Sequence, residues 1–380
     1  MRPLKFVAAL ILALASACSG SQPATRACGS PGQWLAPAEP TSPLAADRLL
    51  ADLAQRQVVL LGESHDSAED HRWQLHTLAR LQALHPELAV GFEMFPRRLQ
   101  PVLDRWVAGE LAEAEFLEKV DWNRTWGFDA QDYLPLFHFA RMSRLPMLVL
   151  NVERSLPDAV GKQGWDGVAD ERKEGLSRPA LPSKAYRREL KAVFEHHGDK
   201  KRDKAAFERF VEAQTVWDRA MAQAAAEHLR HHPSTLVVAI LGAGHVRHGY
   251  GVAHQLKDLG IGRIGTLITW NQADDCSLMG TDVADALYVV SPPQAAQPRL
   301  GIAMDMAPAG VRIVAVDPGS IADQTGLKAG DVVTELAGRP ASVASLRVAV
   351  QRQAPGTWLP MRVMRGEAGL DLVARFPPGP

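Results

Sequence analysis

Two short stretches of this chain, Gly62-Glu63-Ser64-His65-Asp66 and Gly242-Ala243-Gly244-His245, put a carboxylate or an imidazole directly behind an apolar, β-branched run. Glu93 ends a third such run, and Asn151-Val152-Glu153-Arg154 follows a fourth. Carboxylate and imidazole together support three kinds of chemistry. They can ligate a borderline divalent metal such as zinc or manganese, with a water position left open. They can ligate or hydrogen-bond haem. They can also move protons in a hydrolysis. Taken singly, a Glu or His after a strand is more often a helix cap or a hydrogen-bonded structural group. Four protonatable groups at the ends of neighbouring strands are costly unless they bind something or exchange protons. Glu63, His65, Glu93 and His245 are therefore the candidate metal-binding set and, if the chain is an enzyme, the catalytic set. Gly62, Gly242 and Gly244 let backbone approach such a site closely. No CxxC, HExxH, GxSxG or Walker pattern occurs, which removes the common zincin, serine-hydrolase and NTPase readings.

Strands must position these residues. Gln57–Leu61, Leu88–Phe92, Met147–Leu150, Thr235–Leu241 and Ile261–Thr269 are each long enough for one strand buried on both faces. Between them, Asp66–Leu84 and Ala205–His228 have helical spacing. The alternation predicts an α/β fold, a mainly parallel sheet with flanking helices, whose ligands bind at the carboxyl ends of the strands. Asp70, His71 and His76 lie on the first long helix; Asp70 and His71 are adjacent and point apart, so a solvated face is expected. Gln214 and Asp218 sit one helical turn apart, and either reach the rim as supporting partners or form a surface pair. The stretch from Ser183 to Lys204, with eight Lys/Arg against four Asp/Glu, reads as a solvated helical excursion.

The 380 residues suffice for two or three domains, and 46% hydrophobic residues suffice for their cores. Forty-two basic against forty-three acidic side chains leave a net charge of −1, which excludes the broad basic field of a nucleic-acid binder. The longest apolar stretch is N-terminal and too short to span a bilayer. Arg2 and Lys5, the apolar run Phe6 to Leu14 and the small residues Ala15-Ser16-Ala17 read as a signal peptide over 1–18. Leu14-Ala15-Ser16-Ala17-Cys18 is lipobox-like, with Leu one place farther from the cysteine than usual. Lipidation at Cys18 is expected, with membrane attachment through that anchor only; conventional cleavage to a soluble periplasmic protein is the alternative. Residues 19–44 then read as a flexible tether. Cys28 and Cys276 remain, either as a disulfide or as two unrelated thiols.

Five motifs also occur in the order seen in the ChaN-like family of bacterial haem-binding, iron-regulated lipoproteins, related to Tiki proteases and erythromycin esterases. They are Gly62-Glu63-Ser64-His65-Asp66, Phe92-Glu93-Met94-Phe95, Trp126 with Tyr133-Leu134-Pro135-Leu136, Ala213-Gln214 before Trp217-Asp218, and Gly242-Ala243-Gly244-His245-Val246. The resemblance covers roughly residues 45–290. It implies a cell-envelope haem- or metal-binding lipoprotein serving iron or haem uptake, with His65, His245 and Tyr250 as candidate haem contacts and a homodimer around cofacial haems. The enzyme alternative it leaves open is a metal-dependent or general-base hydrolase using the Glu/His rim.

Residues 291–298 are a linker by composition, and strands separated by turns follow. Residues 299–376 resemble a PDZ domain of the bacterial envelope-protease type. Arg299-Leu300-Gly301-Ile302 looks like its carboxylate-binding loop, which makes Leu300, Gly301 and Ile302 the candidate peptide-binding residues. The resemblance implies docking of protein C-termini by strand addition, against internal packing or dimerisation as the alternative.

Overall fold

The computed structural model describes residues 28–196, 203–292 and 298–378. The expected signal peptide, Cys18, the start of the expected tether and most of the expected 291–298 linker lie outside them. Among the described residues no helix is long and apolar enough to cross a membrane. The chain divides between Pro292 and Pro293 into two compact units.

The first unit is built on an eight-stranded sheet: β1 (Trp34–Ala36), β2 (Glu39–Leu44), β3 (Val58–Glu63), β4 (Leu88–Pro96), β5 (Met147–Asn151), β6 (Leu236–Gly242), β7 (Ile264–Asn271) and β8 (Ala286–Val290), in the order β2-β1-β8-β7-β3-β6-β4-β5. From β8 to β5 all neighbours are parallel, while β1 pairs antiparallel with both β8 and β2. Continuous apolar strands follow from cover on both faces. Val59, Leu61, Val90, Phe92 and Ile240 pack with Trp73, Trp106, Tyr133 and Phe137 on one side. Val58, Leu60, Val237, Ala239 and Leu241 pack with Met221, Ala225, Leu229 and Leu256 on the other. The expected α/β architecture is thus present.

Strand order fixes where a ligand can enter. From β3 the chain moves outward to β4 and β5, returns to insert β6 between β3 and β4, and then continues past β3 to β7 and β8. The winding direction reverses between β3 and β6, so a crevice opens beyond their carboxyl ends. Glu63 ends β3 and Gly242 ends β6, and the two are register partners.

The tether expected over 19–44 does not hold for its last residues. Residues 34–44 form β1 and β2 at the sheet edge, where Trp34 packs against Tyr288 at 5.0 Å between ring centroids. Antiparallel edge pairing tolerates the prolines of β2, whose composition suggested a linker. Of the two readings for the cysteines, the structure has the disulfide, Cys28 to Cys276.

The second unit is an antiparallel sheet: β9 (Ile302–Ala307), β10 (Gly310–Val316), β11 (Val332–Leu336), β12 (Arg339–Pro340), β13 (Trp358–Arg365) and β14 (Ala368–Arg375), in the order β14-β13-β11-β10-β9 with β12 on β11. Its core includes Leu300, Ile313, Leu327, Val333, Leu346 and Val363. The closing strand expected near Leu359–Met364 is followed by a further strand, β14.

Candidate functional site

The β3 half of the rim is one imidazole held by one buried carboxylate. Glu63 is 3% exposed, and its Oε1 lies 2.7 Å from His65 Nδ1. Tyr133, from the helix Ala130–Met142, donates its hydroxyl to the same Oε1 at 3.3 Å. Burial pushes the Glu63 carboxyl up, against the pull of His65 and His71. Burial alone would lower His65, but its hydrogen bond to Glu63 and the charges of Glu63 and Glu93 hold it above the ordinary value. With Nδ1–H directed at Glu63, the free nitrogen of His65 is Nε2 on a side chain 29% exposed. Trp126 and Phe128 flank the ring at 4.6 and 5.0 Å between centroids.

Asp70 and His71, expected on a solvated face, are instead each 3% exposed. Asp70 accepts from Ser64 N and Thr269 Oγ1, each at 2.9 Å, and so holds the turn that carries His65. His71 Nε2 lies 3.3 Å from the His65 carbonyl and 3.9 Å from Glu63 Oε2. His76 is exposed as expected.

The β6 half pairs one imidazole with two carboxylates. Glu93, in β4, accepts from Gly242 N at 2.6 Å through Oε2, while its Oε1 stands 3.5 Å from His245 Nε2. Asp218, fully buried in the helix Lys204–His231, sits 2.7 Å from His245 Nδ1 and accepts the Tyr186 hydroxyl at 2.8 Å. Burial opposes charge on His245, yet Glu93 and Asp218 prevail and raise its pKa to about 9. Burial and the neighbouring Asp218 keep the Tyr186 phenol protonated far above its ordinary range. Gly242 joins the halves, since a Cβ there would lie 2.9 Å from His65 Cε1 and 3.6 Å from Glu93 Oε2.

The structure therefore brings Glu63, His65, Glu93 and His245 to one rim, as the spacing predicts. Of Gln214 and Asp218, it is Asp218 that supports the site. Asn151 donates to the Glu93 carbonyl at 3.0 Å, whereas Glu153 pairs with Arg98 at 2.6 Å. Tyr250 belongs to a neighbouring cluster, stacked 5.0 Å from His248 and 6.1 Å from Tyr186. Tyr186, which supports Asp218, lies in the stretch whose composition reads as solvated. Its signal was the apolar stripe Tyr186, Leu190, Phe194 at helical spacing.

In the second unit Leu300 is buried and Gly301 takes φ 77°. A Cβ on Gly301 would stand 2.3 Å from Ser320 Cβ, so this turn requires glycine. The Leu300 and Gly301 carbonyls accept from Ala322 N and Asp317 N, each at 2.9 Å. Ile302 opens β9, which pairs with β10 alone and lies at the end of the strand order.

Residues 49–256 match the model of a family described as haem-binding uptake, Tiki superfamily, ChaN. The chain belongs to this ChaN family. Residues 298–374 of this ChaN-family chain match the PDZ domain model. A solved structure described as cofacial heme binding to ChaN of Campylobacter jejuni is 16% identical, covers 67% of this chain and 95% of its own, and superposes with a TM-score of 0.53. It shows a shared fold. The PDZ domain of HtrA3 bound to a phage-derived ligand is 26% identical over 20% of this chain and 82% of its own, with a TM-score of 0.19. The HtrA-type protease AlgW with a decapeptide is 24% identical over 22% of this chain and 30% of its own, with a TM-score of 0.21. No curated protein matches the chain.

Proposed function

We propose that this chain is an exported, lipid-anchored protein of the bacterial cell envelope that binds haem at the rim through His65, serves iron or haem uptake, and docks protein C-termini through its PDZ unit. One observation carries the haem assignment. Glu63 holds Nδ1 of His65 and leaves Nε2 free on a partly exposed ring between two aromatic side chains. An imidazole whose other nitrogen donates to a carboxylate is oriented and made more basic, which suits a residue that would hold haem iron. The donor set thus fits the group, and bound haem would supply its iron as the Lewis acid for that nitrogen. His245 is less suited, since both its nitrogens face carboxylates and it holds its proton. A bare metal has less support, because among the described residues no three His, Cys, Asp or Glu side chains are grouped to hold an ion.

Absorbance and elemental analysis of the purified mature protein, followed by hemin titration, test this reading. A Soret shift in wild type and in Tyr250→Phe that disappears in His65→Ala is expected. Absence of any shift in wild type removes the reading.

The hydrolase reading rests on a different observation, the second imidazole-carboxylate unit of Asp218, His245 and Glu93 facing His65 across Gly242. Two such units can share general acid and general base roles. It predicts an esterase or peptidase activity lost in both Glu93→Ala and His65→Ala; a screen showing none ends it.

A further inference from the structure

The turn between the helices Trp122–Thr125 and Ala130–Met142 carries two aromatic rings to the same imidazole. Trp126 is edge-on to His65, Phe128 is tilted towards it, and the two rings are 5.5 Å apart. Phe128 is 36% exposed, so part of its ring beside His65 is open to a ligand. The turn is firmly built. Gly127, at φ 84°, turns the chain between the two aromatic residues, and its N–H donates to the Trp122 carbonyl at 3.2 Å. The buried Trp122 indole donates to the Phe128 carbonyl at 2.7 Å, fixing the backbone under the exposed ring. Both rings are thus positioned before any ligand arrives.

An imidazole holding iron through one nitrogen would leave the macrocycle free to rotate about that bond. Flanking aromatic rings remove this freedom by stacking or edge contact, and such contacts act on the macrocycle, not on its metal. We propose that Trp126 and Phe128 form an aromatic shelf that binds the porphyrin macrocycle itself, so that the rim takes metal-free protoporphyrin as well as haem. The proposal rests on the haem reading for the ligand's place and adds that the ligand class is porphyrins irrespective of metal.

The test titrates the mature full chain with metal-free protoporphyrin IX, followed by porphyrin fluorescence, and separately with hemin, followed by the Soret band. Wild type binds both. His65→Ala loses the hemin Soret shift and keeps protoporphyrin binding. Phe128→Ala weakens protoporphyrin binding by about tenfold, as expected for one lost aromatic contact with its buried area, and Phe128→Tyr restores it. Hemin binding without protoporphyrin binding overturns the shelf and leaves the haem reading intact. Protoporphyrin binding indifferent to Phe128→Ala likewise overturns the shelf. If neither porphyrin binds wild type, the haem reading itself falls, and the shelf with it.

Discussion

His245 offers the sharpest quantitative check on the rim. Although burial opposes its charge, Glu93 at 3.5 Å and Asp218 at 2.7 Å raise its pKa from 6.5 to about 9. A histidine raised on folding contributes stability that is fully present below its unfolded value and is lost as pH rises through its folded value. The window runs from pH 6.5 to about 9, and at about 1.4 kcal/mol per unit the contribution is about 3 kcal/mol. His245→Gln removes the titration while keeping a polar side chain near Asp218. Urea unfolding followed by tryptophan fluorescence suits the measurement, because eight of the nine tryptophans precede Pro293 and so report on the ChaN-family unit. Between pH 6 and pH 10 wild type should lose about 3 kcal/mol more than His245→Gln, so that the two stability curves converge towards alkaline pH. Asp218→Asn should shrink that difference by removing one of the two charges. Parallel curves for wild type and His245→Gln across the window would refute the buried imidazolium.

Haem affinity should fall at acidic pH, by about tenfold per unit below the raised pKa of His65, because iron competes with a proton for Nε2; hemin titrations between pH 5 and 8 read this directly. Gly242→Ala places a methyl 2.9 Å from His65 Cε1 and should displace that ring, costing about 1–3 kcal/mol in thermal melts and most of the hemin Soret shift. Replacing Cys28 and Cys276 by serine opens a disulfide that spans 248 residues of sequence and should cost about 2–5 kcal/mol, with thiol counts before and after reduction confirming the bond. Gly301→Ala should abolish binding of C-terminal peptides in fluorescence anisotropy while leaving hemin binding unchanged, because it drives a Cβ to within 2.3 Å of Ser320.

The sequence was most legible where physics imposes uniform patterns. Five strands covered on both faces read as apolar runs, and the residues behind them carry the rim. Legibility failed where a polar residue is buried by its partners. Asp70 and His71 look solvated on a helical wheel, yet Ser64, Thr269 and Glu63 from other elements, with Gln74 of the same helix, surround them with hydrogen-bonding or charged groups. Thr269 becomes a neighbour of Asp70 only after β3 and β7 pair, so no local window contains it. The edge strands failed for the opposite reason. Pro40 and Pro43 weaken a strand signal, but a strand with one partner tolerates them.

Proximity on the rim also concealed a difference in kind. Spacing presents His65 and His245 as equivalent imidazoles behind equivalent strands, and the candidate set treated them so. Folding gives His65 one hydrogen-bonded carboxylate, itself pushed towards its neutral form by burial, and leaves the side chain 29% exposed. It gives His245 two carboxylates, one of them steadied by Tyr186 from a helix more than thirty residues away in sequence. The number of carboxylates per imidazole, and not the identity of the imidazole, therefore separates the two environments. On the proposed haem reading His65 would give up a proton to receive a Lewis acid, while the raised pKa of His245 keeps its proton beside Glu93 and Asp218. A rim built this way favours a ligand that brings positive charge to the His65 side, as the iron of haem would. Exchanging the two environments, by neutralising Glu63 and Asp218 in turn, should then affect different observables: Glu63→Gln should weaken hemin binding, and Asp218→Asn should flatten the pH dependence of stability.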